Sequence, residues 1–180
     1  MIRDLFFFFS PLIIDMENEA EDETMSIEIV REYLKQFDAE KRILEFPVSS
    51  ATVELAAKAV GCEPARITKT LSFKLGEGCI LVAAAGDAKI DNAKYKHQFG
   101  TKAKMLAPEE VAAFTGHAVG GVCPFGVPSG VQVYLDVSLK RFATVFPAAG
   151  SSNSAIEVTP EELMKLSKAR GWVDVCKEWE

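Results

Sequence analysis

The most informative residue for chemistry is a lysine within an alternating segment. From Ile67 to Leu75, apolar side chains occupy most alternate positions, which is typical of a strand with one apolar face. Lys69 falls on that apolar face. A lysine is seldom buried without a partner or a cavity, so its position predicts a cavity that binds a ligand. The alternatives are a register shifted by one residue and a side chain that reaches solvent at the strand edge.

A glycine-rich segment, residues 116–126, offers mainly backbone groups. Its sequence is Gly-His-Ala-Val-Gly-Gly-Val-Cys-Pro-Phe-Gly. The paired glycines Gly120 and Gly121 let main-chain N–H groups approach a ligand and stabilise a developing oxyanion. The spacing fits neither a P-loop nor a dinucleotide-binding fingerprint, and a simple turn is the alternative. His117 is either a polar ligand contact or a structural residue, since no acid adjoins it in sequence.

Two polar segments complete the candidate set. Residues 150–154, Gly-Ser-Ser-Asn-Ser, either bind a polar substrate or turn the chain. Residues 89–104 contain five lysines and His97 against one aspartate, so they form either a phosphate-binding patch or a solvated helix face. The four cysteines form no CxxC pair, and none has a histidine at metal-ligand spacing. Nothing in the cysteine spacing indicates a zinc site.

Charge and hydropathy set residues 1–24 apart from the remainder. They account for the whole formal net charge of -6, so the rest of the chain is neutral and does not oppose an RNA partner. Their apolar run is too short to span a bilayer, and it leads into an acidic tract without a signal-peptide cleavage site. We expect an upstream extension before a functional start at Met25, or a disordered tail. Residues 25–180 are expected to form one cytoplasmic domain with reduced cysteines and no membrane partner.

Five segments in this order resemble the YbaK/EbsC family, which is related to the editing domain of bacterial-type prolyl-tRNA synthetases. They are Ser49–Thr52 before a helix, Lys69-Thr70-Leu71 in a strand, Gly86-Asp87 after an apolar strand, and the segments 116–126 and 150–154. The resemblance covers about Met25 to the C-terminus. It implies a trans-editing deacylase that removes wrongly attached amino acids from tRNA without a metal or cofactor. Aminoacyl-tRNA is then the partner, with prolyl-tRNA synthetase as a second candidate.

The resemblance also implies a role for individual residues. Lys69 would position the end of the tRNA and would not act as a nucleophile. Gly120 and Gly121 would serve the ester carbonyl, while water or a ribose hydroxyl of the substrate attacks. The residues implied to contact the substrate are Thr70, His117, Pro124, Gly126, Ser151 and Ser152. Lys94 and Lys96 are the candidate tRNA contacts.

The amino acid that is removed stays open between small side chains. Ala155 stands where some cysteine-specific members carry an acidic residue, so both Ala and Cys on tRNA(Pro) remain candidates. Discrimination between such close neighbours leaves little trace in a sequence. The alternative functions are a non-catalytic tRNA- or synthetase-binding module with the same fold, and a binding protein for a free amino acid.

Local patterns predict the elements that must position these residues. Apolar periodicity predicts helices at 27–37, 51–60, 91–99, 108–115 and 159–169. The predicted N-caps include Ser50, Asp91 and a capping box of Thr159 with Glu162, and the predicted C-terminal glycines include Gly61 and Gly100. Alternating or continuous apolar runs predict strands at 42–46, 67–75, 79–85, 102–106, 131–136, 141–146 and 155–158. Strands in hairpin succession beside separate helices favour an α+β fold. We expect a mixed, largely antiparallel, curved and partly barrel-like sheet surrounded by helices.

Overall fold

The computed structural model describes residues 25–179, so the predicted leader at 1–24 lies outside the described residues. The helices are α1 within residues 25–35, α2 Val53–Val60, α3 Asn92–Phe99, α4 Pro108–Thr115 and α5 Pro160–Leu166. None of the helices in this part of the chain is long and apolar enough to cross a membrane.

The strands form one central sheet and two small ones. They are β1 Ile43–Glu45, β2 Ile67–Leu75, β3 Gly78–Ala85, β4 Lys89–Ile90, β5 Gln132–Asp136, β6 Phe146–Pro147, β7 Ser154–Ile156, β8 Trp172–Val173 and β9 Cys176–Lys177. The central sheet has the order β6-β2-β3-β5-β8, while β1 pairs with β7 and β4 pairs with β9. The predicted mixed α+β class is confirmed. The long β2–β3 ladder and both small sheets are antiparallel, whereas β6, β5 and β8 join the central sheet by short parallel ladders.

Strand β3 forms the centre of the core. Residues 81–85 are fully buried, because β2 and β5 pair along both edges of this strand and both of its faces are covered. Its three alanines, Ala83 to Ala85, face Thr70, Lys69 and Thr68 across the β2–β3 ladder. The strand that carries Lys69 is therefore held in register by a neighbour with small side chains.

Helix ends largely follow the predicted caps. The Asp91 side chain accepts hydrogen bonds from the backbone N–H groups of Ala93 and Lys94, at 2.8 and 3.0 Å. At α5, Thr159 and Glu162 form the predicted capping box. The predicted cap of α2 is wrong: Thr52 caps this helix, whereas the Ser50 hydroxyl donates to the carbonyl of Ser152 at 3.0 Å. Ser50 thus joins two loops.

Two predicted strands are wrong, and the last helix is shorter than predicted. Residues 102–106 form only an isolated bridge between Phe73 and Met105, beside the outer half of β2. Instead of a strand at 141–146, a 3-10 helix covers Val137–Arg141, because Asp136 caps it by accepting from the Ser138 N–H at 3.0 Å. Only Phe146–Pro147 is then left to pair with β2. Helix α5 ends at Leu166, because Ser167 caps it and Lys168 adopts a positive φ of 50°.

Candidate active site

A cavity of about 250 Å³ opens at the edge of strand β2. Strand β6 pairs only with Ile67 and Thr68, and residues 104–106 bond to Ser72 and Lys74. The edge of β2 between Thr68 and Ser72 therefore has no strand partner among the described residues. The cavity is bordered by this edge, the start of α2, the glycine-rich segment and the serine-rich loop. Residues from all four contribute, including Thr52, Ala56, Lys69, Thr70, Gly120 and Ser151. The structure thus brings four of the residues expected at the site, Lys69, Thr70, Gly120 and Ser151, to one cavity.

Lys69 is held in place by a backbone carbonyl. Its Nζ donates a hydrogen bond to the carbonyl oxygen of Gly86 at 3.1 Å. Gly86 cannot be replaced without displacing the chain, since a Cβ there would lie 2.1 Å from the Pro64 carbonyl oxygen. Burial lowers the pKa of Lys69 below its usual 10.5. An ammonium has three donors, so two N–H groups of Lys69 remain for a ligand.

Two threonine hydroxyls in the cavity wall are unpaired. Thr68 Oγ1 and Thr70 Oγ1 are buried and have no hydrogen-bond partner within residues 25–179. A buried hydroxyl without a partner costs about 1–3 kcal/mol, and a polar ligand that bonds to it removes that cost. Thr68 was not among the residues expected at the site. Its place beside Lys69 in the alternating strand was the available signal.

The two central glycines have different environments. Gly120 has a φ of 91° and lines the cavity. Its N–H has no acceptor in the described part of the chain, so it is available as a donor. The Gly121 N–H instead donates to the carbonyl of Ala118 at 3.0 Å. A Cβ on Gly121 would lie 2.8 Å from the Gly150 carbonyl oxygen, so this glycine lets the two loops approach closely. The expected donor role therefore fits Gly120 and does not fit Gly121.

The serine-rich loop has an internal hydrogen-bond network. Ser151 Oγ lies 2.8 Å from Ser154 Oγ and 2.9 Å from Asn153 Oδ1. Ser151 and Ser154 both line the cavity. Ser152 does not line it: its side chain lies next to Gly120, while its carbonyl accepts from the backbone and the hydroxyl of Ser50. Ser152 therefore connects the serine-rich loop to the segment that precedes α2.

Besides Ser152, three further residues expected to contact substrate do not line this cavity. The His117 ring is buried between Ser26 Oγ, 2.9 Å from Nδ1, and the Phe125 carbonyl oxygen, 2.8 Å from Nε2. Burial lowers the pKa of His117 below 6.5, which favours a neutral ring that connects α1 to the glycine-rich segment. Pro124 and Gly126 line a second cavity instead.

The lysines of α3 also lie outside the cavity lining. Lys94 Nζ donates to Asp174 Oδ1 at 2.8 Å and to the carbonyl of Cys176 at 2.9 Å, whereas Lys96 is exposed. Within the described chain, no three His, Cys, Asp or Glu side chains are grouped closely enough to hold a metal ion.

Several proteins that this chain resembles in structure or sequence are named for tRNA editing. A solved structure titled as a proposed trans-editing enzyme for prolyl-tRNA synthetase superimposes with a TM-score of 0.77 and 32% identity, covering 84% of this chain and 97% of that one. EbsC of Enterococcus faecalis, named as a proposed Cys-tRNA(Pro)/Cys-tRNA(Cys) deacylase, is 28% identical over 66% of this chain and 74% of its own length.

A second relative and a family model also match most of this chain. The uncharacterised protein YwhH of Bacillus subtilis is 58% identical over 158 residues, which cover 87% of this chain and all of YwhH. Residues 48–166 match the family model of the aminoacyl-tRNA editing domain, a range that contains Lys69, Gly120 and Ser151. The resemblance to the YbaK/EbsC family is confirmed, and the chain belongs to the aminoacyl-tRNA editing domain family.

Proposed function

We propose that this protein is a trans-editing hydrolase that removes a small amino acid, Ala or Cys, from mischarged tRNA(Pro). The observation that carries the proposal is the cavity at the open edge of β2. It is lined by both Lys69 and Gly120, and the Gly120 N–H has no acceptor among the described residues. Family membership supports the reaction class, an ester hydrolysis on aminoacyl-tRNA.

Lys69 acts as a cation that positions the substrate. If its amine attacked the aminoacyl ester, the acyl group would end on nitrogen as an amide, which is far more resistant to water than the ester. Each protein molecule would then stop after one turnover. The two N–H groups that Gly86 does not engage can instead bind oxygen atoms of the terminal nucleotide.

Catalysis then depends on the substrate and on the backbone. Among the described residues, the cavity lining contains serines and threonines but no His, Asp, Glu or Cys to activate a nucleophile. Water attacks the ester carbonyl, either directly or after a ribose hydroxyl of the substrate has taken over the acyl group as a new ester, and it supplies the proton for the ribose oxygen. The carbonyl oxygen gains negative charge, which the Gly120 N–H stabilises. The ester C–O bond breaks, the ribose oxygen takes a proton, and the free amino acid leaves. No metal ion takes part in this scheme.

The dimensions and lining of the cavity favour a small amino acid. Its volume of about 250 Å³ lies below the ~300–1,000 Å³ of typical small-molecule sites. Apolar side chains such as Ala56, Phe146, Ala148 and Ala155 contribute to the wall. This lining suits a methyl or thiol side chain, and it offers no carboxylate to pair with a charged one.

The direct test is an assay with tRNAs charged with Ala, Cys, Ser or Pro. We expect Ala or Cys esters to disappear faster than they hydrolyse spontaneously, and a chelator to leave the rate unchanged. Lys69→Ala is expected to reduce release to background, whereas Lys41→Ala, a matched change at an exposed lysine, keeps the wild-type rate.

Each contrary result points to a different conclusion. If no ester is released above background, a non-catalytic tRNA- or synthetase-binding module becomes the better description. If Lys69→Ala releases the amino acid at the wild-type rate, the positioning role assigned to Lys69 is wrong, although the protein is still a deacylase.

Thr70→Val removes the unpaired hydroxyl without changing side-chain shape, and it is expected to lower the rate without lowering the melting temperature.

A further inference from the structure

The second cavity, of about 410 Å³, lies on the other side of the glycine-rich segment. It is bordered by the loop that leads into β5 and by the chain that follows α5. We call it the basic groove, defined by Pro124, Gly126, Ser129, Gln132, Lys168 and Arg170. The proposed deacylation does not use this groove.

Two cations in the groove lack acidic partners. Arg170 is exposed, and its guanidinium makes no hydrogen bond or ion pair with any residue that the structure describes. Lys168 Nζ donates to Gln36 Oε1 at 2.9 Å and lies 5.3 Å from the centre of the Tyr33 ring, so it has no carboxylate partner. No described Asp or Glu lines the groove. The described lining of the groove therefore carries a net positive charge, although the chain as a whole is acidic.

The groove is connected to the first cavity through a short piece of chain. Gly120 lines the first cavity and Pro124 lines the groove. Four residues of extended chain span at most about 14 Å, so the two sites are within a few nucleotides of each other. A polymer whose end occupies the first cavity can reach the groove.

We propose that the basic groove binds the phosphodiester backbone of the tRNA next to its 3′ end, an inference that rests on the proposed function. Unpaired Arg and Lys cations recognise phosphates, and the hydroxyl and amide of Ser129 and Gln132 add donors. Apolar side chains such as Val127, Pro128 and Val131 also line the groove, so binding of a protein partner is treated as a separate outcome of the experiment.

The experiment compares two pairs of variants with the same change in charge. One pair is Lys168→Gln with Arg170→Gln in the groove, and the other is Lys96→Gln with Lys102→Gln on the surface expected from the sequence. Binding of uncharged tRNA(Pro) is measured over a range of salt concentrations. Hydrolysis is measured on aminoacyl-tRNA and on the short ester alanyl-adenosine, which does not reach the groove.

For the groove pair we expect KM for aminoacyl-tRNA to rise about tenfold, with kcat and alanyl-adenosine hydrolysis unchanged. Loss of two phosphate contacts lowers the slope of log affinity against log salt by about 1.5. The Lys96/Lys102 pair is expected to change KM and the salt slope less than the groove pair does. Lys168 packs against Tyr33, so its replacement also removes a packing contact. Arg170→Gln is therefore tested alone as well, and it is expected to give about half of the change in slope.

Three results would overturn the inference. The first is a loss of tRNA affinity in the Lys96/Lys102 pair alone, and the second is an equal loss in both pairs. The third is weaker binding of prolyl-tRNA synthetase with unchanged tRNA binding, which would make the groove a protein-binding site. If no ester is hydrolysed, the proposed function fails, but the tRNA-binding comparison still decides the role of the groove.

Discussion

Arg141 donates hydrogen bonds to both carboxylate oxygens of Asp87, with Nη2–Oδ1 at 2.6 Å and Nη1–Oδ2 at 3.1 Å. Asp87 directly follows Gly86, whose carbonyl accepts from Lys69. On the other side, the Gly86 N–H donates to the carbonyl of Ala65 at 3.2 Å. The turn that orients Lys69 is therefore fixed from two directions.

Arg141→Lys is expected to lower kcat for deacylation about tenfold, because a lysine cannot reproduce the two-point contact and a small displacement of Gly86 misplaces Lys69. Arg42→Lys is the matched control, since Arg42 makes a similar two-point contact with Glu162 on a different part of the surface. The measurement is single-turnover release of amino acid from saturated protein. Equal rates for the two variants would show that Arg141 does not act through Lys69.

Lys69 is expected to give deacylation an alkaline limit. Burial lowers its pKa, so the positioning charge is lost as pH rises through a value below 10.5. Net activity, after subtraction of spontaneous ester hydrolysis, then falls over that range, and Lys69→Arg moves the fall to higher pH. A pH–rate profile identical for wild type and Lys69→Arg would contradict a role for this charge.

The same shift in pKa predicts a gain in stability when Lys69 is replaced. The folded state holds the proton of Lys69 less tightly than the unfolded state, so the charged lysine destabilises the fold at neutral pH, and this cost disappears as pH rises above 10.5. Lys69→Met should therefore raise the melting temperature at pH 7 and give a smaller gain at pH 10.5. A lower melting temperature than wild type at pH 7 would contradict this.

Gly121→Ala is expected to destabilise the protein by about 1–3 kcal/mol and to impair deacylation. The added Cβ would lie 2.8 Å from the Gly150 carbonyl oxygen and 2.9 Å from Ser151 Cα, so the loops must separate. Gly130→Ala is the control, because a Cβ there meets no atom within 4 Å and its φ is not positive. Chemical unfolding and the deacylation assay measure the two effects. If both variants match wild type in stability and deacylation, the close approach of the two loops at Gly121 does not matter for either property.

His117 is expected to make the fold sensitive to acid. Its folded-state pKa is lowered by burial, so the unfolded chain binds the proton more tightly, and stability falls as pH drops below about 6.5. His117→Gln should flatten the change in melting temperature between pH 7.5 and pH 5. The control is His97→Gln, at an exposed histidine, which should keep the wild-type change. A steep acid decline that persists in His117→Gln would assign the effect to other groups.

Local patterns in the sequence predicted most of the framework correctly. Alternation placed Lys69 in a strand, and the structure shows a cavity beside it. Gly61 and Gly100, the predicted C-terminal caps, adopt the left-handed conformation that ends α2 and α3. These features depend on residues close together in sequence, so they can be read from it.

Features that depend on distant contacts could not be predicted. The segment 102–106 has the composition of a strand, but only its contacts with the outer half of β2 decide that it forms a bridge. Likewise, Gly121 approaches the backbone of Gly150 closely, and the His117 ring lies 2.9 Å from Ser26 Oγ, which is 91 residues away in the chain. Nothing in the local sequence indicates those partners. Their roles in catalysis or support remain predictions.

The three alanines of β3 that face Thr68, Lys69 and Thr70 have a consequence for how this scaffold can diversify. Each is fully buried, so a larger side chain there would clash with the layers that cover the sheet and would disturb the packing around Lys69. The side chains of β3 beside the cavity can therefore change little in size. Changes in the size or polarity of the cavity among relatives should therefore accumulate in α2 and the two loops, which can change while the Lys69–Gly86 contact is preserved.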